Sequence, residues 1–184
     1  MAGPPPESRV LRLVIRTDGA ARGNPGPASA GAVLIDAADP GARHPLATPL
    51  ATLSEYLGVQ TNNVAEYTAL VRALEVARRL GAAEVELLLD SQLIVEQISG
   101  RWRVKDVKLR PLWESARRLL GGFERWSAAH VRRAENSAAD RLANEAIDRA
   151  MAGGSASVVV LPDGEERGGP VAPSGQQSLF EADP

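Results

Sequence analysis

Residues 10–27 of the chain read VLRLVIRTDGAARGNPGP, and this stretch decides the fold. Val10 to Thr17 is rich in leucine and β-branched residues that partly alternate, so it predicts a strand that ends at Asp18-Gly19. The following segment GNPGP, at 23–27, predicts a tight turn, because proline fixes φ and glycine frees it. The chain therefore opens with a strand that ends at a carboxylate and then turns back.

Two further strands are predicted directly after this turn, Ala30 to Ile35 and Leu50 to Leu57. The turn-rich segment 36–49 between them is too short for a helix in a crossover connection, which indicates an antiparallel meander.

The pattern then changes to a helical period. Thr61-Asn62-Asn63 supplies capping side chains for a helix that Gly81 ends. The elements predicted after it are a strand at Glu84 to Leu89 that ends at Asp90, short helices at Ser91 to Ser99 and Leu109 to Leu120, a fifth strand at Phe123 to Val131 and a helix at Ser137 to Met151. This order predicts an α/β fold with a five-stranded mixed sheet, an antiparallel meander followed by parallel strands, and helices on both faces.

Composition divides the chain into three parts. We predict a flexible N-terminus at 1–8, a folded domain at 9–151 and a flexible acidic tail at 152–184, where glycine, proline and serine predominate. Val158 to Leu161 is the only apolar cluster in that tail, and an extra strand or a partner contact remains open for it.

The 184 residues include no cysteine, which excludes disulfides, thiol nucleophiles and thiolate metal sites. The net charge of -2 hides a segregated distribution: ten basic and three acidic residues lie at 101–133, and one basic and five acidic residues at 152–184. The overall charge therefore does not exclude a nucleic acid partner. No secretory signal and no apolar run of the roughly 20 residues that span a bilayer is present, so we expect a cytoplasmic protein.

Four carboxylates occupy telling positions: Asp18 and Asp90 follow strands, and Glu66 and Asp140 fall in the first turns of helices. Carboxylates gathered at one sheet edge cannot all stay ionised without a cation, and oxygen ligands favour Mg²⁺ or Mn²⁺. Two such ions about 3.5–4 Å apart can promote phosphodiester hydrolysis. Each acid alone also has an ordinary structural interpretation, as a turn residue or a partner of the helix dipole.

Four separated motifs resemble the ribonuclease HI family in order and spacing. They are TDGAARGNPGP at 17–27, TNNVAE at 61–66, DS at 90–91, and EN at 135–136 with ADRLA at 139–143. The resemblance covers about Val10 to Ala150. It implies a ribonuclease H-like fold and Mg²⁺-dependent hydrolysis of the RNA strand of RNA–DNA hybrids, with 5′-phosphate and 3′-hydroxyl ends.

The resemblance also implies roles for individual residues. The metal-binding catalytic acids would be Asp18, Glu66, Asp90 and Asp140, with two Mg²⁺ ions bridged by Asp18 and Mn²⁺ as a substitute. Contacts to RNA 2′-hydroxyls and to a DNA phosphate would come from the loop and cap segments. Those residues are Gly23, Asn24, Thr61, Asn62 and Asn63.

His130 lies ten residues before Asp140, which is the spacing of the family's mobile catalytic histidine. Here Val131-Arg132-Arg133 replaces the usual glycine-containing loop, so two alternatives stay open: a catalytic residue, or a structural residue within the fifth strand.

Between Asp90 and Trp113 the chain is too short for the extra basic helix by which some family members hold the hybrid. The segment RWRVKDVK at 101–108 remains, and the candidate nucleic-acid contacts in it are Arg101, Trp102, Arg103 and Lys105. The alternative is a solvated charged loop. Trp113 and Trp126 are predicted core residues.

The segment QQSLF at 176–180 resembles the pentapeptide by which bacterial replication and repair proteins dock on the DNA sliding clamp, with Gln176, Leu179 and Phe180 as anchors. A chance match at an apolar chain end is the alternative. The favoured function is a monomeric ribonuclease H acting on hybrids in DNA replication. The alternatives are a broader ribonuclease that also cleaves double-stranded RNA, and a non-catalytic nucleic-acid-binding or clamp-associated module.

Overall fold

The computed structural model describes residues 10–168. Seven strands in this part of the chain form one sheet in the order β5-β4-β1-β2-β3-β6-β7. The strands are β1 (Arg12–Ala21), β2 (Gly26–Asp36), β3 (Ala51–Gln60), β4 (Glu84–Leu89), β5 (Arg125–His130), β6 (Ser157–Leu161) and β7 (Gly164–Arg167). The helices are α1 (Asn62–Arg79), α2 (Gln92–Ile98), α3 (Arg110–Leu120) and α4 (Ser137–Met151), with a 3₁₀ turn at Arg133–Asn136.

The pairing confirms the predicted mixed sheet. β1, β2 and β3 form an antiparallel meander, whereas β1–β4 and β4–β5 are parallel pairs. β4 and α4 have the predicted bounds. α1 begins after the N-cap residue Thr61, whose hydroxyl accepts the Val64 amide, and Gly81 follows its end with a φ of 75°.

Alternation along β1 places a hydrophobic core on each face of the sheet. Leu13 and Ile15 pack with α1, α2 and α3, while Val14 packs in a second cluster with Leu142 of α4. Helices therefore cover both faces, as predicted.

The predicted end of the first strand at Asp18 is wrong. β1 continues to Ala21, because its antiparallel pairing with β2 runs on through Asp18↔Gly31 to Ala21↔Ala28. The parallel pairing with β4 stops earlier, at Ile15↔Leu87. Asp18 thus lies beyond the parallel ladder but inside the antiparallel one.

The sheet has seven strands rather than the predicted five. The prediction of a flexible tail from 152 onward is wrong for residues 152–168, the part of it that the structure describes. β6 pairs with β3 and β7 with β6, so this hairpin covers what would otherwise be the open edge of β3. Val159 and Leu161 of β6 are buried in the core. Of the two possibilities for 158–161, the extra strand is confirmed.

Residues 1–9 and 169–184 lie outside the described residues, and with them the predicted N-terminus and the QQSLF segment. Within 10–168, no helix combines the length and the apolar character needed to cross a membrane.

Candidate active site

Three carboxylates from three elements meet at one edge of the sheet. One oxygen each of Asp18 in β1, Glu66 in α1 and Asp90 after β4 lie within 4.8 Å of one another. Asp18 is 5% exposed and Glu66 9%. They line a cleft of about 260 Å³ that Asn62, Arg133 and Asn144 also border. The structure thus brings together three of the four predicted acids as one group of oxygen donors.

Gly19 permits this approach of α1 to β1. A Cβ atom at Gly19 would lie 2.1 Å from the backbone nitrogen of Glu66, so no other residue fits beside Asp18 without moving the helix. The Gly19 amide also donates to the Glu66 carboxylate. The residue next to one acid therefore sets the position of the second.

The carboxylates of the cluster are desolvated and repel one another. Burial, followed by the neighbouring Asp90 and Asp140 carboxylates, raises the pKa of Asp18 to about 7 against the opposing charge of Arg133. Burial, followed by Asp18 and Asp90, holds the pKa of Glu66 well above its usual range. These shifts show that the cluster needs positive charge to stay fully ionised.

Asp140, the fourth predicted acid, lies beside the group, where its side chain shares a hydrogen bond with Asp18. The guanidinium of Arg133 donates to the Asp140 carboxylate at 3.0 Å, and Asn144 donates to the Asp140 carbonyl at 2.9 Å. Sequence reasoning missed Arg133 as a site residue; the available signal was its positive charge seven residues before Asp140, just ahead of the helix predicted at Ser137.

Small residues on the sheet hold α4, and hence Asp140, in place. A Cβ atom at Gly31 would lie 2.3 Å from the Ala139 carbonyl oxygen. The hydroxyl of Ser29 donates to the Ala143 carbonyl at 2.6 Å, and that of Ser54 donates to the Leu142 carbonyl at 2.8 Å. The start of α4 is therefore seated closely on the sheet.

His130 is the last residue of β5. Its position within the fifth strand, one of the two alternatives that the sequence left open, is therefore the observed one. Its ring is exposed, and Nε2 donates to the backbone carbonyl of Asp90 at 3.2 Å. The imidazole thus lies against the backbone that carries one of the three clustered acids.

The loop and cap residues predicted to hold a hybrid lie together. The side-chain oxygen of Asn24 accepts the backbone amide of Asn62 at 3.1 Å, which joins the β1–β2 turn to the start of α1. Gly23 has a φ of 107°, Thr61 caps the helix, and Asn63 is exposed. Asn62 borders the cleft, so this surface adjoins the acids.

The basic segment at 101–105 follows α2 and does not line the cleft. Arg101 pairs with Glu96, Trp102 is 48% exposed, and the Arg103 carbonyl accepts from the buried amide of Gln97 at 3.3 Å. Trp113 and Trp126 pack partly buried against the larger core. Of the three tryptophans, only Trp102 is therefore well exposed to a partner, whereas the other two are partly buried.

Fold and site together define an α/β protein with an acidic, oxygen-only cluster at a sheet edge. Oxygen donors of this kind suit hard divalent cations, so the cluster could bind a metal.

Comparison with known proteins identifies the family. A family model described as "Reverse transcriptase-like" matches residues 16–146. Ribonuclease HI of Halobacterium salinarum is 48% identical over 133 residues, which cover 72% of this chain and 63% of that protein. Ribonuclease H of Polaromonas naphthalenivorans is 32% identical over 169 residues, which cover 82% of this chain and 96% of that protein. The chain belongs to the ribonuclease H family.

A longer relative is the bifunctional protein of Mycobacterium tuberculosis, 46% identical over 140 residues; the matched region is 76% of this chain but only 36% of that protein. The chain thus spans about a third of the length of this mycobacterial relative. Among solved structures, LC11-RNase H1 in complex with an RNA/DNA hybrid is 40% identical, with a TM-score of 0.68, covering 76% of this chain and 99% of that chain.

Proposed function

We propose that this protein is an endoribonuclease that hydrolyses the RNA strand of RNA–DNA hybrids and leaves 5′-phosphate and 3′-hydroxyl ends. The observation that carries the proposal is the group of Asp18, Glu66 and Asp90, with Asp18 and Glu66 buried and Asp90 partly buried, at the sheet edge of a ribonuclease H fold. The substrate class is supported by LC11-RNase H1, whose solved structure is a complex with an RNA/DNA hybrid.

The donor set fits two Mg²⁺ ions, with Mn²⁺ as a substitute. Asp18, Glu66 and Asp90 would hold one ion, and Asp18 with Asp140 the other. The donors are all carboxylate oxygens, and their mutual repulsion in a buried place requires positive charge. Bound there, such ions supply an activated water and stabilise the leaving oxygen of a phosphodiester.

His130 is proposed to hold or move a proton at the edge of this site. Its exposed imidazole, next to the backbone of Asp90, supports that role. We expect His130→Ala to lower kcat by about 100-fold; unchanged turnover would remove His130 from the mechanism.

The hybrid is proposed to contact two surfaces. One consists of Gly23, Asn24, Thr61, Asn62 and Asn63. The second consists of four exposed residues: Arg101, Trp102, Arg103 and Lys105. Cations and an aromatic ring of this kind suit a phosphate backbone and its bases, and Arg101 is already paired with Glu96.

Basic residues that contact phosphates make binding depend on salt. We expect Arg103→Ala with Lys105→Ala to weaken hybrid binding and to reduce the slope of log affinity against log salt by about 1–2. Arg12→Ala removes a similarly exposed arginine outside the cleft and serves as the control. Equal slopes in all three proteins would exclude the basic segment from the contact.

The QQSLF segment lies outside the described residues, and we propose that it docks on a DNA sliding clamp through Gln176, Leu179 and Phe180. Binding of the full chain to a purified bacterial clamp should be lost in Leu179→Ala with Phe180→Ala. Binding that survives this double substitution would contradict the proposal.

The central test is cleavage of a labelled RNA–DNA hybrid in Mg²⁺, with duplex RNA and duplex DNA of the same sequence alongside. Wild-type protein should cleave the RNA strand of the hybrid, and chelator should abolish the cleavage. Asp18→Asn should be inactive yet folded, because it removes the central carboxylate charge. Asp39→Asn, an exposed acid outside the cleft, is the matched control. Cleavage that persists in Asp18→Asn would show that the assigned site is wrong.

A further inference from the structure

Asn136 lies fully buried at the point where β1 and β4 part. The parallel ladder between these strands runs from Arg12↔Glu84 to Ile15↔Leu87. Asp18 and Asp90 each come three residues after the last paired positions. The backbone ladder therefore does not fix the distance between these two acids.

The side-chain amide of Asn136 bridges this gap. Its Nδ2 donates to the Thr17 carbonyl at 2.8 Å and to Oδ1 of Asp90 at 2.9 Å. Both partners are acceptors only, so the NH₂ group rather than the carbonyl must face them. One side chain thus ties the residue before Asp18 to the Asp90 carboxylate.

The other end of the same amide is left unsatisfied. Oδ1 of Asn136 is buried without a hydrogen-bond partner. A buried acceptor without a partner costs free energy, so the position of the NH₂ group is retained at a cost in stability. This is the pattern expected where a side chain serves a site rather than the packing around it.

The 3₁₀ turn that carries Asn136 is itself anchored from the sheet. Arg16 of β1 is 2% exposed, and its guanidinium donates to the carbonyl of Glu135 at 2.8 Å and to that of Arg43 at 2.6 Å. The side chain of Glu135 in turn accepts the backbone amide of Arg132 at 3.1 Å. The turn that carries Asn136 is therefore anchored both to β1 and within itself.

We propose that Asn136 is a positioning residue that acts through Asp90. By holding one oxygen of that carboxylate, it presents the other oxygen toward Asp18 and Glu66 and so sets the affinity of the cluster for a divalent cation. Outer partners of this kind commonly change metal affinity by about 10–100-fold when they are removed. The inference rests on the proposed cation site and assigns it a determinant outside the four acids.

The test measures Mn²⁺ binding to the full chain without nucleic acid, by isothermal titration, for wild type, Asn136→Ala and Asn136→Ser. We expect the dissociation constant to rise about 10-fold or more in Asn136→Ala and less in Asn136→Ser, which keeps one donor. In hybrid cleavage, kcat at low Mn²⁺ should fall and recover at saturating Mn²⁺, with KM for the hybrid unchanged. Asn136→Ser also carries the test if the alanine variant does not fold.

Gln97→Ala is the matched control. Gln97 is also a buried amide that bonds at 2.6 Å to the Tyr67 hydroxyl, but it does not line the cleft. It should lose comparable stability and keep wild-type Mn²⁺ affinity.

Two outcomes would overturn the inference: wild-type Mn²⁺ affinity in both Asn136 variants, or an equal loss in Asn136→Ala and Gln97→Ala, which would indicate a structural role. If wild-type protein itself does not bind Mn²⁺, the proposed cation site fails, and with it the role of Asn136.

Discussion

At the scale of single residues, Gly19 decides whether the site can form. Its missing side chain lets the backbone of Glu66 approach β1, and its amide bonds the Glu66 carboxylate. The sequence pattern indicated Asp18 and Glu66 as separate acids, one after a strand and one in a helix. The resemblance implied that they share a metal site, but the close backbone approach that brings them together is visible only in the tertiary structure.

We expect Gly19→Ala to lower the free energy of unfolding by about 1–3 kcal/mol, because the new methyl group would overlap the backbone of α1. The helix would move away and take Glu66 with it, so Mn²⁺ affinity should fall as well. Denaturant unfolding and Mn²⁺ titration measure the two effects.

Gly41→Ala is the control, since a Cβ atom at Gly41 would have nothing within 4 Å. If the two alanine variants behaved alike, close packing at Gly19 would not be what sets the site.

At the scale of elements, the β6–β7 hairpin lies where the composition had predicted a flexible tail. Glycine, proline and serine dominate the segment after α4, yet Val159 and Leu161 alternate inward and cover the edge of β3. Arg149 of α4 fixes the hairpin, donating to the Ser155 carbonyl at 2.7 Å and to the Ser54 carbonyl at 2.7 Å. A short apolar run can form a strand when the unpaired edge of a sheet supplies backbone hydrogen-bond partners for it.

We expect Arg149→Ala to destabilise the protein by about 1.5–3 kcal/mol, because it leaves two partly buried carbonyls without their charged donor. Amide hydrogen exchange at β6 should accelerate more than at β1. Arg141→Ala, on the same helix, removes only an exposed pair with Glu145 and should cost less than about 1 kcal/mol. Equal exchange rates at β6 in the two variants would contradict the role of Arg149.

At the scale of the whole molecule, the acidic cluster links global stability to pH. Without a cation, burial and the neighbouring acids raise the pKa of Asp18 from 3.8 to about 7 on folding. The folded protein therefore binds more protons than the unfolded chain between these values, and stability falls as the pH rises through them. The raised pKa of Glu66 acts in the same direction.

In chelator, we expect the free energy of unfolding to drop by about 2–4 kcal/mol between pH 4.5 and pH 7.5. Asp18→Asn should make this drop smaller and leave the part that the buried Glu66 contributes, and added Mg²⁺ should reverse the drop in the wild-type protein at pH 7.5. Denaturant titrations at the two pH values test the expectation. A drop of the same size in Asp18→Asn would assign it to other groups.

The sequence by itself predicted the mixed sheet with its meander and parallel strands, the bounds of β4 and α4, and, through the resemblance, the four acids proposed to bind metal. These follow from local periodicity, capping residues and motif order, which are properties of neighbouring residues. The resemblance implied that the acids share a site, but only the tertiary structure decided the close backbone approach behind it, the contacts of Arg133 and Asn136 with the acids, the continuation of β1 past Asp18 and the hairpin that covers the edge of β3. Each of those depends on backbone approach or strand pairing between segments far apart in the chain, and that information does not lie within any one stretch of residues.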